Sequence, residues 1–266
     1  MTIEVAKSTI KREVTSGTRE WADYNINCIK GCYNNCRYCY AKVMAKRFGR
    51  CTEETWKDME INKLVLNKKF RKYNGRVMFP SSHDIIDRPG IKDICFSVIE
   101  RLLEVGNELL VTTKPQLSIT KAITEQFAKY TEQLQFRFTI TSINNGKLSF
   151  WEPNAPLFEE RFSSLQYAYR SGFKTSVSIE PFLDYNPQTL VELLLPYVSE
   201  SVWLGPMNYI QVSGISEEDA YQYDEIRMAC RREHLEQIYE ALKDFPKIRF
   251  KDSMNNKLGH YMNKLD

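Results

Sequence analysis

The sequence predicts an α/β protein, a single domain of repeated β-α units around a parallel sheet. Short β-branched or aromatic runs alternate with longer stretches of helical period. The chain has 266 residues, enough for one large core, and a length near this suits a barrel-like α/β domain. The composition, 42% hydrophobic and 27% charged with 11 Gly and 10 Pro, excludes collagen-like, mucin-like and mainly disordered chains.

Six strands are read in order: Tyr24 to Asn27, Arg76 to Phe79, Glu108 to Thr112, Gln135 to Thr141, Thr175 to Ile179 and Ser201 to Leu204. Ile248 to Phe250 is a candidate seventh. A helix over Ile91 to Val105 places Ile91, Ile94, Cys95, Val98 and Leu102 on one face and stops at Gly106-Asn107, so Cys95 reads as core. A second helix follows Pro156, with Phe158, Phe162, Leu165 and Tyr169 as its stripe and Gly172 as its stop. Ser216-Glu-Glu-Asp219 reads as a capping box opening one long amphipathic helix that carries Cys230 and buries Leu235, Ile238, Tyr239 and Leu242. No repeat or Gly/Ser linker divides the chain, so residues 1–266 are taken as one domain, with a core over about 20–210 and a C-terminal helical extension over about 214–266.

No run approaches 18 apolar residues and the N-terminus lacks an apolar segment after a basic one, so a soluble, cytoplasmic protein without a membrane partner is expected. Lys+Arg 37 against Asp+Glu 34 gives +3, which neither requires nor excludes a polyanion. The run Lys68-Lys69-Phe70-Arg71-Lys72-Tyr73 with Arg76 suits phosphate contacts and base stacking, or a solvated helix face ahead of a strand.

Seven cysteines in such a chain argue for thiol, metal or cluster chemistry, since cytosolic reductants oppose disulfides. Cys28, Cys32, Cys36 and Cys39 fall within twelve residues, and the last three form a C-x3-C-x2-C run followed by a helical stretch. Three thiolates on a short loop suit a [4Fe-4S] cube with one iron left open. A structural four-thiolate zinc site is the competitor, although zinc usually pairs two separated knuckles and no distant C-x2-C partner exists. Cys28 reads as a small buried residue ending the first strand, or as a fourth ligand or redox group.

The strand ends add polar groups at one face: Pro80-Ser81-Ser82-His83-Asp84, Thr113-Lys114-Pro115, Ser142-Ile143-Asn144, Glu180-Pro181 and Gly205-Pro206. His83 and Asp84 are candidates for proton transfer, cofactor binding or helix capping. Tyr40 is a pocket or radical-relay candidate, with simple packing favoured. Trp151-Glu152-Pro153-Asn154 leads into the Pro156 helix and borders the substrate or packs as a hinge, and His234 and His260 are given no role.

The cysteine spacing with Tyr38 before the last ligand resembles the radical S-adenosylmethionine (SAM) superfamily, whose fold is a partial (β/α)6 barrel. Gly31-Cys32-x3-Cys36-x-Tyr38-Cys39-Tyr40-Ala41, Thr113-Lys114, Arg137-Phe-Thr-Ile-Thr-Ser142-Ile-Asn144 and Ser178-Ile-Glu180-Pro181 most resemble its spore photoproduct lyase-like branch. The resemblance implies a [4Fe-4S] cluster on Cys32, Cys36 and Cys39, with S-adenosyl-L-methionine chelating the open iron. Reductive cleavage would yield a 5'-deoxyadenosyl radical that abstracts hydrogen from an unidentified substrate. It places Tyr38 by the adenine, Lys114 at the methionine carboxylate, Ser142 at the carboxylate or ribose, Ser178 or Glu180 at another polar group and Gly205 near the adenine. It also implies a reducing partner such as a flavodoxin or ferredoxin, and makes nucleic acid a possible substrate. Pro80-Ser81-Ser82-His83-Asp84 departs from the Gly-Gly-Glu-type run of many members, so the ligand of the SAM amino group is open. Neither Cys51 nor Cys95 aligns with the hydrogen-donor cysteine of the lyase. Three other readings stay open: lesion repair of the lyase type, an iron-sulfur electron-transfer protein and a zinc-stabilised binding module.

Overall fold

The computed structural model describes residues 16–259, so His260 lies outside the described residues. The strands are β1 (Tyr24–Asn25), β2 (Ile29–Lys30), β3 (Glu60–Ile61), β4 (Val77–Phe79), β5 (Leu109–Thr113), β6 (Leu134–Thr139), β7 (Lys174–Ile179), β8 (Val202–Leu204) and β9 (Ile248–Phe250). The helices are α1 (Tyr40–Arg47), α2 (Lys63–Leu66), α3 (Ile91–Glu104), α4 (Leu117–Gln126), α5 (Asn145–Trp151), α6 (Phe158–Arg170), α7 (Gln188–Leu194), α8 (Glu217–Ala229), α9 (Arg232–Leu242) and α10 (Asp252–Leu258).

Seven strands form one parallel sheet in the order β1-β4-β5-β6-β7-β8-β9, curled into a half-barrel. Sequence neighbours along the sheet are joined by helical crossovers, as parallel strands require. The antiparallel pair β2-β3 is a separate ribbon that the sequence reading missed, two residues being too short to show alternation.

Val77, Phe79, Leu109, Val111, Phe136, Phe138, Val177, Ile179, Val202 and Leu204 belong to the core under the helices. The alternate positions share the concave side by the period of two. There Gln135 Nε2 and Arg137 Nε both donate to Ser176 Oγ at 3.1 Å. The barrel interior is therefore polar, which suits a binding fold more than a sealed core.

Most predicted elements stand, with three differences. The long helix expected after Ser216 is two helices: Ser216 Oγ caps α8, but Cys230 ends it and Arg231 is extended before α9 begins. The candidate seventh strand, Ile248 to Phe250, forms as β9, paired to β8. Lys68 to Arg76 is no helix face but a loop, pinned where Arg101 Nη1 donates to Leu66 O and Lys68 O at 3.0 Å and Asn107 Nδ2 donates to Arg71 O at 3.1 Å. On α6, Leu165 is buried whereas Tyr169 is exposed.

Residues 17–24 span the gap between edge strands β1 and β9. At one end Lys251 Nζ donates to Gly17 O at 2.8 Å and pairs with Glu20, while Asp252 N donates to Glu20 Oε1 at 3.0 Å. At the other, Asp23 N and Tyr24 N donate to Arg76 O. Among the described residues no helix is long and apolar enough to cross a membrane.

Candidate metal-cofactor site

The thiol loop leaves the C-terminal end of β1 and is shaped by its neighbours. Gly31 has φ +88, and a Cβ there would lie 2.3 Å from Trp56 O, so only glycine lets the strand meet that carbonyl. Trp56 O then accepts Cys32 N at 2.8 Å. Asn35, at φ 47, turns the chain, and its N donates to Cys32 O at 3.3 Å. Cys39 caps α1, its Sγ accepting Lys42 N at 3.4 Å. The far side is held by Arg37 N to Trp151 O at 2.9 Å and by Asn154 Nδ2 to Tyr33 O at 2.9 Å.

Cys32, Cys36 and Cys39 are free thiols. Burial pushes all three up, Cys36 to about 12; Asp84, Cys36 and Cys39 add to the rise at Cys32, and Glu152 and Cys39 to that at Cys36, while Lys114 opposes the rise at Cys36 and Cys39. A crowded set of this kind releases its protons only when positive charge arrives among the sulfurs, as metal binding provides. No three His, Cys, Asp or Glu side chains among the described residues gather at the spacing that one ion needs. A zinc site draws its donors to within about 2.0–2.3 Å of one centre. Three thiolates on one short loop would suit a cluster that keeps one iron open to a further ligand.

Beside the loop lies a buried charge cluster. Glu152 and Arg161 are wholly buried and paired at 2.5 Å. The Tyr38 hydroxyl donates to Glu152 Oε1, as does Thr141 Oγ1 at 2.8 Å. Lys114 Nζ lies 3.9 Å from the same oxygen and 5.6 Å from the Tyr38 ring centroid. Burial works against the Lys114 charge, but Cys36 and Glu152 outweigh it and raise the ammonium above its ordinary range.

Asp84 ties three segments together. It accepts Asn34 Nδ2 of the thiol loop at 2.7 Å, Lys114 N at 2.9 Å, Ile85 N at 2.8 Å and the Thr113 hydroxyl. Its oxygens are thus taken up in bracing the loop against β5. Next to it, Asn27 Oδ1 accepts Ser81 N at 2.7 Å and Ser82 N at 2.9 Å, fixing the loop after β4.

Of the sequence candidates, the structure brings Tyr38, Lys114, Asp84 and the three thiols into one neighbourhood. His83 turns away, its Nε2 accepting Cys28 N at 3.2 Å. Tyr40 is exposed rather than packed, with its ring centroid 5.5 Å from that of Tyr209 on the loop after β8. Ser142 Oγ donates to Asp184 Oδ1 at 2.5 Å. Ser178 is buried on β7. Glu180 sits 3.8 Å from Lys251, and a Cβ on Gly205 would lie 3.0–3.1 Å from both side chains, so glycine there lets the pair close. Arg161 was missed as a site residue, and Glu152 was read only within the segment Trp151 to Asn154, as a border of the substrate or a packed hinge. Arg161 carried a signal: it lies three residues after Phe158 and four before Leu165, in phase with the buried stripe of α6.

A parallel half-barrel with a thiol loop at its C-terminal mouth defines a class, and the comparisons agree. A sequence model of the radical SAM superfamily matches residues 26–195. The chain belongs to the radical SAM superfamily, a class of enzymes. An uncharacterized protein of Methanocaldococcus jannaschii, MJ0683, is 27% identical over 186 residues, covering 68% of each chain. An uncharacterized protein of Acidianus two-tailed virus, ORF301, is 25% identical over 193 residues, covering 68% of this chain and 61% of its own length. This chain thus spans about three-fifths of the viral relative. A spore photoproduct lyase variant, solved with S-adenosylmethionine and a dinucleoside spore photoproduct bound, superposes with TM-score 0.51 at 15% identity, over 90% of this chain and 79% of that one. At that identity the likeness is one of fold.

Proposed function

We propose that this chain uses a [4Fe-4S] cluster on Cys32, Cys36 and Cys39 to cleave S-adenosyl-L-methionine reductively, for hydrogen abstraction from a substrate not yet identified. When bound, the cluster supplies one low-potential electron to the sulfonium, drawn from a donor such as a flavodoxin or ferredoxin. The observation that carries the reading is Lys114. It is a mostly buried ammonium beside Cys36, its side chain 14% exposed, whose one ion-pair partner within 4.0 Å among the described residues is Glu152, at 3.9 Å. No hydrogen bond from its Nζ is made within the described chain, so its donors suit an incoming carboxylate such as that of the methionine moiety.

Tyr38 is held by Glu152 and suits one wall of the cofactor pocket. Ser142 and Glu180 already have partners in Asp184 and Lys251, so they reach a cofactor only by exchanging them. Ser178 and Gly205 complete the set on β7 and after β8. Asp84 acts by bracing the loop rather than by proton transfer.

Nucleic acid as substrate class gains little support from the basic run. Residues 68–76 precede β4, at the opposite end of the sheet from the thiol loop, so a polyanion held there is not presented to the mouth.

The test is iron and sulfide content of anaerobically reconstituted protein, then release of 5'-deoxyadenosine with SAM and dithionite. About four irons per chain and SAM cleavage are expected, with Cys36→Ala losing both. Zinc in place of iron would overturn the reading.

A further inference from the structure

The mechanism leaves two buried thiols unused. Cys28 follows β1, four residues before the first cluster cysteine, and Cys95 lies in the first half of α3. Both are fully buried, and their Sγ atoms are 3.7 Å apart. His83 completes the group. Its Nδ1 faces Asp84 O at 3.1 Å, a contact that requires a proton on Nδ1 and leaves a lone pair on Nε2. That lone pair accepts Cys28 N at 3.2 Å and lies 3.8 Å from Cys28 Sγ. Hydrogen bonding from Cys95 outweighs burial and brings the Cys28 thiol down to about 6. Two core cysteines placed only to fill space have no need of a histidine acceptor at the sulfur.

We propose that Cys28 and Cys95 are a redox modification site, converted by a hydroperoxide into an intramolecular disulfide and restored by a dithiol reductant. Cys28 is the attacking sulfur. Its thiolate takes the terminal oxygen of hydrogen peroxide as the O–O bond breaks, hydroxide leaves, and the proton shed by the thiol converts it to water. Cys95 sulfur then attacks the sulfenic sulfur of Cys28, the S–O bond breaks, and a second water leaves with the Cys95 proton. Two thiols are oxidised and one peroxide is reduced to two waters. The sulfurs must approach by roughly 1.7 Å to reach a bond near 2.05 Å, within the range of side-chain rotation. The disulfide would fasten α3 to the start of the segment that carries Cys32. Peroxide is small enough to enter through local opening.

Trypsin isolates the two cysteines from the others. Cys28 falls alone in the peptide Glu20 to Lys30 and Cys95 alone in Asp93 to Arg101, while Cys32 and Cys36 share Gly31 to Arg37 and Cys39 is in Tyr38 to Lys42. The full-length reduced protein is treated with increasing hydrogen peroxide, alkylated and mapped without reduction. The expected product is the Glu20–Lys30 peptide linked to Asp93–Arg101, two hydrogens lighter than their sum, formed at lower peroxide than any oxidation of the partly exposed Cys51. Dithiothreitol should reverse it, prior denaturation should abolish its preference, and His83→Gln should slow it several-fold. Overturning results are Cys28 carried on to sulfinic acid without the link, or Cys51 and the cluster cysteines oxidised while Cys28 and Cys95 remain alkylatable. The wild-type map decides the matter even if the His83 variant fails to fold. Because the peptides exclude the cluster cysteines, the outcome is independent of what those cysteines bind.

Discussion

The half-barrel buries carboxylates in two places, and they behave in opposite ways. At the mouth, burial alone would raise Glu152, but Arg161, Lys114, Tyr38 and Thr141 outweigh it and hold the carboxyl below its ordinary range. At the strap across the open side, burial dominates. Glu20 is raised to about 7, with Lys251 offsetting only part of the cost, and Glu180 is raised as well. A buried carboxylate keeps its charge where two cations and two neutral donors converge on it, and loses much of that support where two carboxylates share one ammonium. The first arrangement makes a fixed scaffold beside the thiol loop. The second makes a closure whose strength varies with pH.

The largest effect should come from removing the centre of the fixed cluster. Glu152→Ala leaves Arg161 buried without its partner and is expected to cost about 3–5 kcal/mol in urea unfolding of the metal-free chain. A loss below about 1 kcal/mol would mean that the two clusters do not differ as described. Lys251→Met should cost less, about 1–2 kcal/mol, because the carboxylates it leaves behind already lean toward the neutral form. Faster amide exchange confined to Gly17–Trp21 is the expected signature there, and exchange spread through β5 and β6 would contradict it.

The smallest effect is a slope. Glu20 holds a proton in the folded chain up to about pH 7 but releases it near 4.5 when unfolded. Its contribution is therefore present in full below about pH 4.5 and lost as the pH rises through about 7. Stability should fall over that window, and Glu20→Gln should flatten the fall. An unchanged slope in the variant would assign the titration to another group.

Much of the frame was legible in the chain. The strands at Leu109–Thr113, Leu134–Thr139 and Lys174–Ile179 are long enough to show their apolar runs, and α3 shows both its stripe and its glycine stop. The break between α8 and α9 was not legible, because Cys230 and Arg231 are ordinary helix residues and neither glycine nor proline marks the change. The thiol loop announced itself by spacing, whereas Glu152 did not: its partners Tyr38, Lys114, Thr141 and Arg161 come from four separate segments.

By itself, then, the sequence determined what depends on local order: the β-α alternation, the three-cysteine loop with its glycine, and Lys114 at a strand end. Only the tertiary structure decided which charges meet. It turned Asp84 into a brace, paired His83 with Cys28, brought Cys95 to 3.7 Å from that thiol and set Lys251 against Glu20 across the open side of the sheet. The physical reason is range. Helix period, turn chemistry and ligand spacing act over a few residues and are written along the chain, while the charge and reactivity of a buried group depend on burial and on partners that only the folded sheet brings together.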